Sequence, residues 1–328
     1  MALWTVRYDF RAPAFATARR DLVSAALDQC AWADERGCSS ILFPEHHGTV
    51  DGYLPSPSVM AGAAAARTKS TQILVIQTPL RDPFTIAEDL AEVDHISGGR
   101  TELLLAAGYV PEEFAMYGED HADRGGLLVE KARAVTSLLE GRHVEYRGRR
   151  GQISPRPYQQ PRPRIRFGGA TRAAARRAAE HADAFMPIVP DPALIELYEN
   201  ECARLGRQPR SYPFPRGGLN VLVVRDPDRA WRELAPHILH DMNAYGTWKS
   251  ATPQASPYFT TADVEEARNS GIYSIVTPQQ CVELVRNVPE PSSVLLHPLL
   301  GGVDPQVGWE CLQLFVDEVL PALEPHPT

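Results

Sequence analysis

Apolar and polar positions alternate along this chain in two rhythms. Trp4, Val6 and Tyr8 alternate with Thr5 and Arg7 over Leu3–Tyr8, the period of a strand. Leu22, Ala25, Ala26, Cys30 and Ala33 then recur at helical spacing, with Gly37 as the stop. A second strand, Ile41-Leu42-Phe43, ends at Pro44, since proline cannot donate to a ladder and sits at strand ends. A small-residue helix over about 58–67 precedes a third strand, Gln72–Gln77. Asp82-Pro83 opens a helix with an N-cap and a proline at its first position, striped by Ile86, Leu90, Val93 and Ile96 and closed by Gly98-Gly99. Thr101–Ala107 is a fourth strand, ending at Gly108.

The second half repeats the theme. An amphipathic helix over Leu127–Leu139 leads to a polar excursion, His143–Ser154, read as a hairpin, and a proline-rich connector from Pro155 to Pro163. Strands follow at Ile165–Phe167, Ala184–Ile188, Leu219–Val224 and Val294–His297, separated by helices and by a long stretch to about residue 275 that reads as irregular. About eight strands alternating with helices imply a parallel sheet, and units of this size favour a closed (β/α)8 TIM barrel. A single barrel domain over 1–328 is expected, with insertions near 141–163 and 236–290.

The net charge of −8 disfavours nucleic acid and anionic membrane as partners, because polyanions are repelled. The five cysteines are scattered without zinc-type spacing, so no metal site is expected and a reduced, cytoplasmic setting is the simplest reading. The N-terminus lacks a signal-type apolar core, and the longest uncharged stretch, Gly52–Ala66, is too short to span a bilayer.

Chemistry gathers where strands end. Glu45-His46-His47 follows the second strand, and a histidine there can give or take a proton near neutral pH. Successive residues of an extended chain point to opposite sides, so the three converge poorly on a metal. Gly168-Gly169-Ala170-Thr171 turns a strand into an alanine-rich helix whose N–H groups suit an anion, with Arg172 adding charge. A tight strand-to-helix connection explains the two glycines about as well. Gly108-Tyr109 and the acids Glu112 and Glu113 follow the fourth strand; the acids could equally cap the next helix. The stretch from His237 to Trp248, with His240 and Tyr245, is aromatic and polar together, which suits either a cover over a substrate or plain packing.

The ordered series Pro44-Glu45-His46-His47, Leu54-Pro55-Ser56-Pro57, Pro79-Leu80-Arg81-Asp82-Pro83, Asp94-His95-Ile96-Ser97-Gly98-Gly99-Arg100, Gly108-Tyr109 and Glu113-Phe114 resembles the bacterial luciferase-like flavin monooxygenases over about residues 40–205. The resemblance implies a usually dimeric (β/α)8 barrel that binds reduced flavin mononucleotide (FMN), or a deazaflavin coenzyme, at its C-terminal mouth. In flavin members oxygen adds to the reduced flavin, and the resulting peroxide oxygenates a small organic substrate. His46 matches the active-site histidine and Glu45 the acid beside it. Thr171, with the amides of Gly169 and Ala170, matches the phosphate site. Leu74 and Val75 fall near the bulge under the flavin ring, often built on a non-proline cis peptide. Ala106 and Ala107 depart from luciferase, which has cysteine and arginine there, so phosphate binding would lean on Thr171, the helix start and Arg172. That fits a flavin delivered by a separate flavin reductase.

Three functions are therefore carried forward. The first is a monooxygenase using reduced FMN and O2, the second a hydride-transferring oxidoreductase on a deazaflavin, and the third a flavin-binding barrel without catalysis. Tyr8 and Arg11 at the end of the first strand, His240, Tyr245 and Trp248 in the late insertion, and His297 at the end of the last strand are the candidates to meet the substrate.

Overall fold

The computed structural model describes residues 3–212, 214–251, 257–286 and 293–323. In chain order the first half is β1 (Leu3–Arg7), α1 (Arg19–Asp34), β2 (Ser40–Phe43), α2 (Pro57–Ala65), β3 (Gln72–Gln77), α3 (Pro83–Ser97), β4 (Thr101–Ala106), α4 (Pro111–Met116) and α5 (Arg124–Leu139). A two-stranded antiparallel hairpin, β5 (Val144–Tyr146) and β6 (Arg149–Gly151), follows. The second half is β7 (Ile165–Gly169), α6 (Arg172–His181), β8 (Ala184–Pro187), α7 (Pro192–Arg204), β9 (Arg216–Val223), α8 (Pro227–Ala251), α9 (Val264–Asn269), β10 (Tyr273–Val276), α10 (Pro278–Arg286), β11 (Ser293–Leu296) and α11 (Pro305–Leu314).

All strands but the hairpin belong to one parallel sheet of nine, in the order β10-β9-β11-β1-β2-β3-β4-β7-β8. The sheet curls round until β8 meets the chain just before β9. Phe185 pairs there with Ser211, its N–H bonding the Arg210 carbonyl and its own carbonyl accepting from Tyr212. This is the expected barrel, with β10 as an additional strand beside β9.

Alternation along the strands decides what faces the lumen. Ile41 and Phe43, Ile73 and Val75, Leu103 and Leu105 point outward and pack against the helices. Between them Leu42, Leu74, Leu104 and, from β11, Leu295 form a separate apolar cluster inside the barrel. Burying each such leucine contributes about 1.5–3 kcal/mol, so this plug is a substantial part of what keeps the barrel closed. Above it, at the C-terminal ends of the strands, the lumen opens.

Helix starts follow the residues read from the sequence. Asp82 caps α3 through its side chain to the Phe84 N–H (3.0 Å), with Pro83 in the first turn and Gly98 left-handed at the end. The stretch after residue 236, expected as irregular, is different. Helix α8 runs unbroken through Pro236 to Ala251, because Trp231, Leu234, Ile238, Met242 and Tyr245 give it one continuous buried face. No helix among the described residues is long and apolar enough to cross a membrane.

Candidate active site

The open end of the lumen is a cavity of about 1160 Å³, larger than the roughly 300–1,000 Å³ of an ordinary ligand pocket. It has room for a cofactor and a second molecule. Its walls are mostly aliphatic, and its polar groups gather at two ends.

At one end stands His46. Pro44 stops β2, and the chain leaving it presents His46 to the cavity, with the side chain almost wholly buried. Glu113, buried on α4, places Oε1 2.8 Å from His46 Nδ1 and 2.8 Å from the His47 backbone N–H, which donates to it. A carboxylate oxygen only accepts, so this contact assigns a ring proton to Nδ1. Nε2 is then the acceptor, and the Tyr109 hydroxyl lies 3.0 Å from it. Burial, then Tyr245 and Glu113, push the Tyr109 phenol well above its usual pKa, so it stays a donor. Glu113 is thus no exposed cap. It holds the histidine, a role the sequence left open.

Aromatic rings close around this group. Trp248 lies 4.3 Å from the His46 ring, tilted by 31°, and Tyr53 stands edge-on at 4.8 Å. Glu45 also lines the cavity, but its carboxylate turns to the end of β3: Oε2 accepts from the Thr78 N–H (2.8 Å) and hydroxyl (2.9 Å), and Oε1 lies 3.3 Å from His47 Nε2. It braces two strand ends rather than reaching the His46 ring.

The other end is cationic. Gly168, Gly169, Ala170 and Thr171 line it where β7 turns into α6, and Thr171 Oγ1 caps the helix by accepting from the Ala174 N–H at 3.2 Å. A Cβ on Gly169 would lie 2.4 Å from the Ala174 Cβ, so only glycine lets the helix start come this close. Arg124 and Arg133 of α5 and Arg177 of α6 line the same end. Burial, and then Arg124, lower the Arg177 pKa, and its Nε is sealed from solvent with no partner among the described residues. Two helix starts and several arginines around one opening match a phosphate dianion. On these grounds the cavity fits a phosphate-bearing flavin.

Comparison with known proteins now decides the family. The family model of luciferase-like monooxygenases matches residues 9–291. The chain belongs to the luciferase-like monooxygenase family. A curated relative of this luciferase-like chain, the uncharacterized protein y4wF of Sinorhizobium fredii, is 30% identical over 137 residues, which cover 40% of each sequence. Similar solved structures include the monooxygenase RslO1 of Streptomyces bottropensis, with TM-score 0.79 and 21% identity over 99% of this chain and 100% of that one. Another is the oxygenating constituent of 3,6-diketocamphane monooxygenase of Pseudomonas putida in complex with FMN, with TM-score 0.75 and 16% identity over 99% of both chains. An F420-dependent secondary alcohol dehydrogenase has TM-score 0.67 and 16% identity over 99% of this chain and 100% of that one. At these identities the structures share the fold.

Several expected residues of the luciferase-like site lie elsewhere. β3 keeps unbroken register with β4 from Ile73 to Gln77, without a bulge, and the cis peptides among the described residues are Ser154–Pro155 and Gln160–Pro161. Leu74 is therefore in the lumen plug and Val75 faces the helices, while Ile76, Gln77 and Thr78 reach the cavity. Arg172 is exposed, because the first helical turn directs it outward; Arg177, one and a half turns on, faces in.

The proposed substrate residues also divide. Tyr245 lines the cavity and Trp248 packs against His46. Tyr8 faces outward, its hydroxyl donating to Gln29 at 3.1 Å, since it shares the face of Trp4 and Val6. Arg11, His240 and His297 lie in a buried charge network behind the cavity. Arg11 is paired with Asp51 and lies 3.3 Å from Asp241; His240 bonds Asp51 at 2.8 Å. His297 sits 2.8 Å from Asn220 and 3.3 Å from Asp9. They pair with these acids and Asn220, and the Arg11 guanidinium also lies over the Tyr53 and Tyr245 rings, 4.7 Å from each centroid. Sequence reasoning missed Arg7, Arg124, Arg133 and Arg177.

Proposed function

We propose that this chain is a flavin-dependent monooxygenase that uses reduced FMN and O2 to oxygenate a small organic substrate. One observation carries the reading: a single cavity joins a cationic, phosphate-grade end at Thr171 and Arg177 to a buried His46–Glu113 pair. Family membership supports it. Bound reduced flavin would supply the electrons that activate dioxygen.

The protein's own part is to bind, orient and move protons. The α6 start, with Thr171, Arg177 and Arg124, would hold the flavin phosphate, and the aliphatic lumen would take its ring. His46 Nε2 is placed to take a proton from a ligand or return one, with the Tyr109 hydroxyl as relay. Glu113 accepts from Nδ1–H, which turns Nε2 toward the cavity as the nitrogen that exchanges the proton. Trp248 and the tyrosines keep bulk water from this group. Glu45 acts through Thr78, fixing the rim of the cavity.

This reading includes a reductase that delivers the flavin and a homodimer. Val59 of α2 and Ile96 of α3 are 70% and 49% exposed and lie on neighbouring helices, an apolar face suited to a second copy. The second reading, hydride transfer on a deazaflavin, is favoured by the same His46–Glu113 pair, which serves proton transfer without oxygen equally well.

The test is an anaerobic titration with reduced FMN, followed by rapid mixing with oxygen. A monooxygenase binds the reduced flavin and delays the return of the oxidised flavin's absorbance relative to free FMN. Absence of binding would overturn the reading, and reduced-flavin binding with no change in oxygen reactivity would favour the deazaflavin.

A further inference from the structure

We propose that Arg7 anchors an anionic oxygen of an aromatic substrate, a carboxylate or a phenolate, beside His46. The strand alternation that turns Trp4 and Val6 outward turns Arg7 into the lumen, where it lines the cavity. Leu42, Leu295 and Leu219 line the cavity with it, so a cation stands in an apolar wall. The inference rests on the cavity being the substrate site of the reading above.

Among the described residues the hydrogen bonds of Arg7 all leave from Nη2: to the Tyr245 hydroxyl at 2.9 Å, to Asp9 Oδ2 at 3.3 Å and to the Tyr53 hydroxyl at 3.5 Å. Nη1 is the terminal nitrogen left for a ligand. The one carboxylate in that set is shared. Asp9 Oδ2 also lies 3.3 Å from His297 Nε2, and Oδ1 accepts from the Arg11 backbone N–H. Asp51 and Asp241 are engaged by Arg11. Burial pushes the Tyr53 and Tyr245 phenols up, so they remain neutral and leave the Arg7 charge in place. In a dry apolar wall, a charge-assisted bond from such a guanidinium is worth far more than in water.

The surroundings give the rest of the ligand's character. Tyr53, Tyr109 and Tyr245 line the cavity beside His46, and Tyr258 stacks on Tyr245, offering ring edges and faces to an aromatic body. The Tyr53 ring contacts His46 at 4.8 Å and its hydroxyl meets the Arg7 guanidinium, so an oxygen held at Arg7 puts the neighbouring ring atoms against the histidine. A neutral long-chain substrate would leave Arg7 with its protein partners Asp9, Tyr53 and Tyr245 and nothing to accept from Nη1.

The test uses the full chain without flavin. Binding of 2-naphthoate and of its neutral amide, 2-naphthamide, is followed by quenching of tryptophan fluorescence. The acid is expected to bind at least about tenfold tighter in the wild type, as one charge-assisted bond implies. That preference disappears in Arg7→Gln and persists in Arg7→Lys. The double variant Arg7→Met/Asp9→Asn removes acid and base together and is also expected to lose it, which covers misfolding of the single variant. With 2-naphthol as ligand, naphtholate absorbance at neutral pH identifies a phenolate site, and naphthoate binding without it identifies a carboxylate site. Equal wild-type affinity for acid and amide overturns the proposal, as does a preference that survives in Arg7→Gln or the double variant. FMN titration of the same samples separates this failure from that of the flavin reading: intact FMN binding with no acid preference rejects Arg7 alone.

Discussion

Glu113 Oε1 lies 2.8 Å from both His46 Nδ1 and the backbone nitrogen of His47, so one buried carboxylate oxygen fixes the ring and the strand end that carries it. Replacing Glu113 by Gln keeps the shape but weakens the pull on the Nδ1 proton and frees the other tautomer. Turnover is expected to fall about tenfold or more, with FMN affinity unchanged. His46→Ala should cost about 10²–10⁴-fold in kcat while leaving the thermal midpoint near that of the wild type. Steady-state kinetics paired with FMN titrations check both; normal turnover in His46→Ala would remove the histidine from the chemistry.

The cationic end makes a separable claim. Arg177→Ala and Thr171→Val would each remove a hydrogen bond to the phosphate, worth about 1.5–3 kcal/mol for a charged hydrogen bond, and the valine also removes the cap on the Ala174 N–H. FMN binding should weaken about tenfold to a hundredfold in Arg177→Ala, while riboflavin binding stays as it was. Equal losses for both flavins would mean that these side chains support the fold instead.

Gly169→Ala probes the approach of α6 to the sheet. The added methyl would lie 2.4 Å from the Ala174 Cβ, so the helix start must retreat. Overpacking of this kind costs about 1–3 kcal/mol. The variant is expected to melt earlier and to bind FMN more weakly than wild type, in thermal denaturation and fluorescence titration.

The charge network behind the cavity sets an acid limit on stability. Burial alone would raise the Asp51 carboxyl, but His240, Arg11 and Thr49 together hold it well below the usual range. Asp9 is held down in the same sense by His297, Arg7 and Arg11, against burial. Their folded pKa values lie below the unfolded value of about 3.9, so the unfolded chain binds more protons as the pH falls. The stabilisation is complete above about pH 5 and is lost as the pH drops through about 4 toward the folded values. Asp51→Asn should lower stability at neutral pH by about 3–5 kcal/mol, because it leaves Arg11 short of a partner. It should also flatten the slope between about pH 5 and 3, measured by urea unfolding. Parallel slopes in the two proteins would show that Asp51 is not the group that titrates.

The barrel was legible because its code is local: strand alternation, capping at Asp82 and glycine stops recur unit by unit. His46 and Thr171 were legible because they follow strands directly. Arg177 was not, since an arginine on the helix Arg172–His181 looks like any solvated face until β7 and α5 show which side is covered. Arg7 was hidden for a different reason. On β1 Trp4 and Val6, with Tyr8 just after them, face the helices, and Arg7 faces the lumen, a choice that a five-residue pattern does not encode. Arg11 and His297 looked like pocket residues because nothing in the sequence announces that Asp9, Asp51 and Asp241 converge on them.

Between its two polar ends the cavity is walled by Ile76, Met186, Leu219 and Leu295, none of which hydrogen-bonds to His46 or lies in the α6 turn. Exchanges among such aliphatic side chains alter shape without disturbing charge or tautomer. A barrel built this way can drift from one substrate to another through its middle, inheriting its chemistry intact while its diet changes.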